Sequence, residues 1–228
     1  MQKKKDTRQR YQLISHQKSK SPIFEQYRNI RTNTEFTVVD KNIQSLMVTS
    51  ANPGEGKTTT AAYLAVVFFE QGKKVLLIDA NLRKPTVHII FQIDNIFGLT
   101  NVLTHNEQLG NCIQKTSVNN LHCLPCGSIP PNPADLLGSE AMHELLNSTC
   151  SMYDLVILDL PSILAVTDAR IIANQCNASL IVIRSGMTIR EDVMKATELF
   201  KKTDEKFLGV ILNDCVPKGF NHYYGSTE

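Results

Sequence analysis

The segment "SANPGEGKTTT", from Ser50 to Thr60, carries the residue types needed to hold a phosphate. It contains Ala51-x-x-x-x-Gly56-Lys57-Thr58, the P-loop pattern with alanine in its first position. Its glycines let backbone N–H groups face phosphate oxygens, the lysine reaches the outer phosphates, and the threonine hydroxyl can bind Mg²⁺. The sequence therefore predicts a site for a nucleoside triphosphate with magnesium, formed by Asn52, Pro53, Gly54, Glu55, Gly56, Lys57, Thr58 and Thr59.

Two aspartates end apolar runs and could serve the same phosphate. Asp159 ends "LVILD" and fits the Walker B role, a carboxylate on a neighbouring strand close to the metal. Asp79 ends "VLLID", and an enzyme that transfers phosphate to an alcohol or phenol benefits from a base near the acceptor oxygen. The alternative is that either aspartate caps the next helix or binds nothing. Arg83 lies just past Asp79, where it could contact phosphates. The alternative is that it belongs to a charged surface turn.

The pattern around these residues predicts strands alternating with helices. Apolar runs that do not alternate with polar residues are typical of a parallel sheet buried on both faces. We expect a doubly wound, mainly parallel α/β sheet with helices on both faces, whose ligands bind beyond the carboxyl ends of the strands. Asn213 ends "GVILN" at this edge, and because proteins of similar fold often use an asparagine there, it is a candidate adenine contact, with a turn residue as the alternative. Predicted strands are 45–50, 74–80, 121–126, 154–160, 179–185 and 207–213, and predicted helices include 22–36, 57–71, 134–137, 139–148, 168–176 and 190–202.

Charge divides the chain unevenly. Residues 1–20 contain seven Lys or Arg and one Asp, a net charge of +6, so a chain total of +2 leaves −4 for the rest. That balance argues against nucleic-acid binding by the domain. We expect a basic flexible tail over 1–20, one domain over 21–216 and a short flexible tail over 217–228. No apolar run reaches the length of a membrane span or a secretion signal, so we expect a soluble intracellular protein.

The pair Cys123-Leu124-Pro125-Cys126 has the spacing of a redox motif. The pair lies late in a strand-like run, whereas reactive thiolates are found at helix starts. No second Cys or His pair follows at metal-ligand spacing. Buried, unreactive thiols are therefore the favoured interpretation.

Three segments together resemble the bacterial tyrosine kinases: residues 50–88, the segment "GSIPPNPADLLGS" and the segment "YDLVILDLPSILAVTDAR". The resemblance covers about residues 21 to 225. It is to the separate cytoplasmic kinase subunits of Gram-positive capsule and exopolysaccharide systems. It implies a P-loop NTPase fold of the deviant Walker A type and an ATP-dependent tyrosine kinase that regulates capsular or exopolysaccharide synthesis and export.

The resemblance also implies roles for individual residues. Walker A spans Ala51–Thr58, Walker A′ spans Val75–Arg83 and Walker B spans Leu155–Asp159. Asp79 is then the base for the tyrosine hydroxyl, Lys57 and Arg83 act on the phosphates, and Mg²⁺ is held by Thr58, Asp79 and Asp159.

Assembly and partners are implied in the same way. Glu25-x-x-Arg28-x-x-Arg31 matches the oligomerisation motif of ring-shaped assemblies, with an intrahelical ion pair as the alternative. Tyr223 and Tyr224 are the expected sites of phosphorylation between subunits. The resemblance further implies a transmembrane activator whose cytoplasmic tail docks on the kinase, recruitment to the inner face of the membrane, and a cognate tyrosine phosphatase.

Two departures from the family pattern keep alternatives open. Asn81 replaces the second aspartate of Asp-x-Asp, and Leu160-Pro161-Ser162 replaces Thr-Pro-Pro after Asp159. Because an amide lacks the charge that attracts Mg²⁺, we expect intact ATP binding and weakened phosphotransfer. The alternatives are a catalytically weak ATP-binding regulatory subunit, and a switch ATPase of the partitioning or septum-positioning kind. The latter usually carry a lysine where this chain has Asn52.

Overall fold

The computed structural model describes residues 21–37, 43–116, 118, 121–201 and 206–215. The basic tail predicted over 1–20 and the tyrosines Tyr223 and Tyr224 lie outside these ranges. Within them, no helix is both long and apolar enough to cross a membrane.

The elements are numbered in chain order. The helices of the described residues are α1 (Pro22–Phe36), α2 (Lys57–Glu70), α3 (Val87–Phe91), α4 (Leu99–Leu103), α5 (Leu109–Cys112), α6 (Pro133–Leu137), α7 (Glu140–Met152), α8 (Asp168–Ala173) and α9 (Arg190–Phe200). The strands are β1 (Ser45–Ser50), β2 (Val75–Asp79), β3 (Gln114–Lys115), β4 (His122–Leu124), β5 (Leu155–Asp159), β6 (Ala178–Arg184) and β7 (Lys206–Asn213).

In the described part of the chain the strands form one sheet in the order β3-β4-β2-β5-β1-β6-β7. All neighbouring pairs are parallel except β3 and β4, which are antiparallel. The predicted mainly parallel sheet is thus confirmed. Its register places Asp79 of β2 directly beside Asp159 of β5, so both carboxylates leave the sheet at the same edge.

Two apolar cores cover the opposite faces of the sheet. Every residue of β1, β2 and β5 is buried, which explains why the middle of each strand is a continuous apolar run, with polar residues confined to the strand ends. Alternate side chains enter different cores: Met47 packs with α7, α8 and α9, whereas Leu46 and Val48 pack with α1 and α2. This two-sided arrangement is the predicted doubly wound architecture.

Helix α2 lies between α1 and the sheet. Its residues from Thr60 to Phe68 are all buried, because the sheet lies on one side and α1 on the other. Tyr27 of α1 stacks on Tyr63 of α2 with ring centroids 4.5 Å apart, and Phe24 meets the edge of Tyr63 at 5.3 Å. The helix that begins at Lys57 therefore has a fixed orientation.

The predicted strands and helices differ from the structure mainly at their ends. The strand expected over 121–126, for example, is restricted to His122–Leu124. Between Pro85 and Leu121, where the sequence pattern is weak, the structure contains α3, α4, α5 and β3, which were not predicted. Each has two to five residues, too few to show a periodicity.

Candidate active site

The turn between β1 and α2 requires glycine. Gly54 and Gly56 have φ values of 86° and 93°, in the left-handed region that residues with a Cβ rarely adopt. A Cβ on Gly56 would lie 2.1 Å from Nδ2 of Asn213, so the end of β7 packs directly against this turn. Helix α2 then begins at Lys57 with its N-terminal N–H groups at the same edge of the sheet.

Lys57, Thr58 and Asp159 form a compact hydrogen-bonded group. Nζ of Lys57 donates to Oδ1 of Asp159 at 3.0 Å, and Oγ1 of Thr58 donates to Oδ2 of the same carboxylate at 2.7 Å. Lys57 also lies 3.2 Å from the Thr58 hydroxyl. The fully buried Asp159 carboxylate thus holds both side chains that the P-loop pattern assigns to phosphate and metal.

Asp79 is the second carboxylate of the site and has no exposed surface. Its Oδ2 accepts the backbone N–H groups of Thr86 and Val87, both at 2.9 Å, and its Oδ1 accepts the N–H of Asn81 at 3.3 Å. Burial, followed by the negative charge of Asp159, raises the pKa of Asp79 to about 7. The site therefore contains more buried negative charge than Lys57 neutralises.

This donor set fits a magnesium ion. Two carboxylates and a hydroxyl are hard oxygen ligands of the kind that Mg²⁺ prefers, and such sites complete the coordination with water and substrate phosphates. Burial, and then the neighbouring charge of Asp159, raise the pKa of Asp79, and a dication beside both carboxylates would offset both effects. Thr58, Asp79 and Asp159 are the residues that would hold it.

The polar residues after Asp79 are engaged in contacts within the protein. Asn81 is buried, its Nδ2 donates to the carbonyl of Lys84 at 2.9 Å, and its Oδ1 accepts the Lys84 N–H at 3.3 Å. Both Nε and Nη2 of Arg83 donate to the buried carboxylate of Asp168, each at 2.9 Å. The Asn81 amide thus closes a turn, and Arg83 is oriented by Asp168.

The remaining P-loop side chains face the protein or solvent. Glu55 is buried and accepts the N–H of Asn52 at 2.8 Å, while Pro53 and Gly54 are exposed. Nδ2 of Asn213 donates to the Glu55 carbonyl at 2.9 Å, so Asn213 contacts the P-loop backbone. The structure thus brings together Lys57, Thr58, Asp79 and Asp159, with Asn213 close to the loop.

Sequence reasoning missed four residues that shape the site. Asp168 holds Arg83, Thr86 donates to Asp79 through its N–H, and Thr188 and Asp192 contact Glu55 and Asn52. The alternation of strands and helices in the sequence does not identify Thr188 or Asp192, because 133 and 140 residues separate them from their partners Glu55 and Asn52.

The motif Glu25-x-x-Arg28-x-x-Arg31 has contacts within this chain. Arg28 pairs with Glu25 in α1 and, at 2.9 Å, with Glu70 at the end of α2. Nη1 of Arg31 donates to the Val67 carbonyl at 2.9 Å. These side chains therefore attach α1 to α2, so the intrahelical pair named as the alternative is present.

Cys123 and Cys126 are both buried beside the site. Burial raises the pKa of the Cys123 thiol well above its usual value, and that of Cys126 to about 12, with Asp79 adding to both effects. Within the described ranges no three metal-ligating side chains cluster around them. The predicted unreactive thiols agree with this environment.

Comparison with known proteins identifies the family. A family model described as an AAA domain matches residues 43–211. The tyrosine-protein kinase YwqD of Bacillus subtilis (strain 168) is 50% identical over 230 aligned residues, which cover 100% of this chain and 97% of YwqD. This chain belongs to the bacterial tyrosine-protein kinases. The crystal structure of the chimerical protein CapA2B2 matches this kinase-family chain with a TM-score of 0.86 and 38% identity over 90% of each chain.

The fold extends beyond the kinases. The septum site-determining protein MinD of Pyrococcus horikoshii OT3, solved with Mg-ADP, matches with a TM-score of 0.64 and 26% identity over 74% of this chain and 69% of that chain. The predicted family resemblance and the P-loop NTPase fold are thus both confirmed. That fold is one that binds nucleotides.

Proposed function

We propose that this protein is an ATP- and Mg²⁺-dependent kinase that phosphorylates protein tyrosines and regulates capsular or exopolysaccharide synthesis and export. The observation that carries the proposal is the group of Lys57, Thr58, Asp159 and Asp79 at one edge of the sheet. The names of relatives such as YwqD support tyrosine as the acceptor.

Each residue of the site has a role in this proposal. The backbone of Asn52–Thr59 and the Lys57 ammonium bind the phosphates, and Arg83 adds positive charge beside them. Asn213 contacts the adenine base. Thr58, Asp79 and Asp159 hold Mg²⁺, which neutralises charge on the phosphates when bound. Lys57 must then leave Asp159 to reach the phosphates, because its ammonium is bound to that carboxylate in this structure.

Asp79 is the proposed base. The tyrosine oxygen bonds to the γ-phosphorus of ATP, ADP leaves with the electrons of the broken P–O bond, and the tyrosine proton passes to Asp79. Oδ1 suits this role better than Oδ2, since Oδ2 already accepts two short hydrogen bonds and Oδ1 accepts one long one. Asp79 has no exposed surface, so the groups that cover it must move before the acceptor reaches it.

Organisation and regulation follow from the family resemblance. We propose a basic tail over 1–20, a kinase domain over 21–216 and an acceptor tail over 217–228. In this proposal Tyr223 and Tyr224 are phosphorylated between subunits of a ring assembled through Glu25, Arg28 and Arg31. A transmembrane activator docks through its cytoplasmic tail and brings the kinase to the membrane, and a tyrosine phosphatase reverses the modification.

The test is a phosphotransfer assay with Mg-ATP, with and without the cytoplasmic tail of the activator. Peptide mass spectrometry is expected to locate phosphate on Tyr223 or Tyr224, and Lys57→Met is expected to abolish it. Lys195→Met, an exposed change on α9, is the matched control and should leave the signal unchanged. ATP binding without phosphotyrosine under both conditions would instead favour the regulatory subunit or the switch ATPase.

A further inference from the structure

Glu55 is an unusual residue to find in a loop that binds anions. Glu55 is only 1% exposed, although burying a carboxylate costs free energy unless the group is hydrogen-bonded or paired with a cation. None of the ion pairs found among the described residues includes Glu55. Hydrogen bonds must therefore compensate its burial.

Two donors supply this compensation. The backbone N–H of Asn52 donates to Oε2 of Glu55 at 2.8 Å, and the hydroxyl of Thr188 donates to Oε1. The direction of the second bond is defined, because an ionised carboxylate has no hydrogen to donate. The Thr188 oxygen also accepts the N–H of Arg184 at 2.8 Å, which fixes the hydroxyl in the turn. Each carboxylate oxygen thus has a fixed partner, one in the P-loop and one in the turn between β6 and α9.

The neighbouring P-loop residues are attached to the same part of the protein. Nδ2 of Asn52 donates to the carboxylate of Asp192 in the first turn of α9 at 2.8 Å. Nδ2 of Asn213, at the end of β7, donates to the carbonyl of Glu55 at 2.9 Å. The loop is therefore held by the turn after β6, by α9 and by β7, with Glu55 as the central contact.

We propose that Glu55 is a positioning residue for ATP, which fixes the shape of the P-loop without touching the nucleotide. Its carboxylate fixes the Asn52 end of the loop against the Thr188 turn, so the backbone N–H groups that face the phosphates are already ordered before ATP arrives. A loop that must be ordered on binding gives weaker affinity, because the ordering costs free energy at that step. This inference rests on the proposed function in one respect, that the site binds ATP.

The test measures the dissociation constant for Mg-ATP by isothermal titration calorimetry, well below the unfolding temperature of each variant. Glu55→Ala is expected to weaken binding about tenfold or more, the equivalent of one charge-assisted hydrogen bond. Glu55→Gln is expected to restore affinity to within about threefold, because its amide oxygen accepts the Asn52 N–H and its NH₂ donates to Thr188. Glu191→Ala, an exposed change on α9, is the control and should bind like the parent.

A second variant separates positioning from simple loss of folding. Thr188→Val keeps the size of the side chain and removes only the hydroxyl, so it should weaken ATP binding less than Glu55→Ala. The double variant should weaken binding by less than the product of the two separate effects, since both substitutions remove the same contact between Glu55 and Thr188. In the phosphotransfer assay both changes should raise KM for ATP and leave kcat within about twofold of the parent value. This is expected when a substitution weakens binding of the substrate and of the transition state equally.

The outcomes are distinct. If the parent binds ATP and both Glu55→Ala and Thr188→Val bind equally well, the proposed positioning role is wrong. A fall in kcat with unchanged affinity would also overturn it, because Glu55 would then act on the chemical step. If Glu55→Ala does not fold, unchanged affinity in Thr188→Val overturns the proposal by itself. A parent that binds no ATP would instead overturn the proposed function.

Discussion

At the scale of single residues, the site is defined by an imbalance of charge. Asp79 and Asp159 are adjacent in the sheet and fully buried, and the one ion pair that either carboxylate makes among the described residues is that of Asp159 with Lys57. A protein site that concentrates negative charge in this way favours either a bound proton or a bound cation. The raised pKa of Asp79 corresponds to the first case, and the proposed magnesium ion to the second.

This imbalance predicts a specific dependence of stability on pH. An unfolded aspartate has a pKa of about 3.9, whereas that of Asp79 is about 7 in the folded protein. The folded state thus binds the proton more tightly, so the stabilisation from this group is complete below about pH 4 and is lost as the pH rises through about 7. In EDTA, we expect the unfolding temperature of the parent to fall between about pH 5 and pH 8 more steeply than that of Asp79→Asn.

The comparison of slopes isolates Asp79 from the other titrating groups. Asp94→Asn, an exposed change, should leave the parent profile unaltered. Added Mg²⁺ should reduce the slope of the parent, because the ion favours the ionised carboxylate. Parallel profiles for the parent and Asp79→Asn would show that Asp79 is already ionised over this range.

At the scale of elements, Arg83 and Asp168 join the loop after β2 to the start of α8. The pair is asymmetric, since the Arg83 side chain is 41% exposed and that of Asp168 is fully buried. Arg83→Met leaves a buried carboxylate without its partner, and we expect a loss of about 2–3 kcal/mol in the free energy of unfolding. Asp168→Asn leaves a guanidinium that water can solvate, so we expect a loss of about 1 kcal/mol. Urea unfolding measures both.

A second pair in the chain provides the control for this prediction. Arg184 and Asp214 also form an ion pair, but both side chains are partly exposed, and Arg184→Met should cost less than about 1 kcal/mol. Equal losses for Arg83→Met and Asp168→Asn would contradict the asymmetry. A loss below about 1 kcal/mol for Arg83→Met would indicate that Asp168 is stabilised by the start of α8 and not by Arg83.

The elements also show what the sequence could predict. The apolar runs that became β1, β2 and β5 were recognisable because strands buried on both faces are apolar along most of their length and do not alternate with polar residues. The short helix α4 was not recognisable, because hydrogen bonds to residues distant in sequence stabilise it. Its first N–H donates to the carbonyl of Pro125 at 2.8 Å, and Asn95 just before it exchanges two hydrogen bonds with Gly127.

The same distinction between local and long-range contacts applies to the site residues. The P-loop pattern and the strand ends gave Lys57, Thr58, Asp79 and Asp159, since both signals are local in sequence. The partners Asp168 and Thr188 have no such signal, because their roles exist only once the sheet brings distant loops together. For Asn81, the residue type alone indicates an uncharged side chain, but not the turn with Lys84 that its amide stabilises.

At the scale of the whole molecule, α1 is both a part of the fold and the proposed assembly surface. Its aromatic residues pack on α2, and Arg28 pairs with Glu70 at the far end of α2. A second ion pair, between Lys73 and Glu35, joins the same two helical regions but lies outside the proposed motif. The chain thus offers a matched pair of changes that separates assembly from stability.

We expect Arg28→Ala and Lys73→Ala to lower the free energy of unfolding by similar small amounts, each about 1 kcal/mol or less, since both remove partly exposed ion pairs. Size-exclusion chromatography with light scattering should nevertheless distinguish them. If Arg28 contacts a neighbouring subunit, Arg28→Ala should be monomeric at concentrations where the parent and Lys73→Ala form oligomers. Oligomers of unchanged size in Arg28→Ala would assign Arg28 to the attachment of α1 on α2, and a monomeric parent would show that the chain does not assemble by itself.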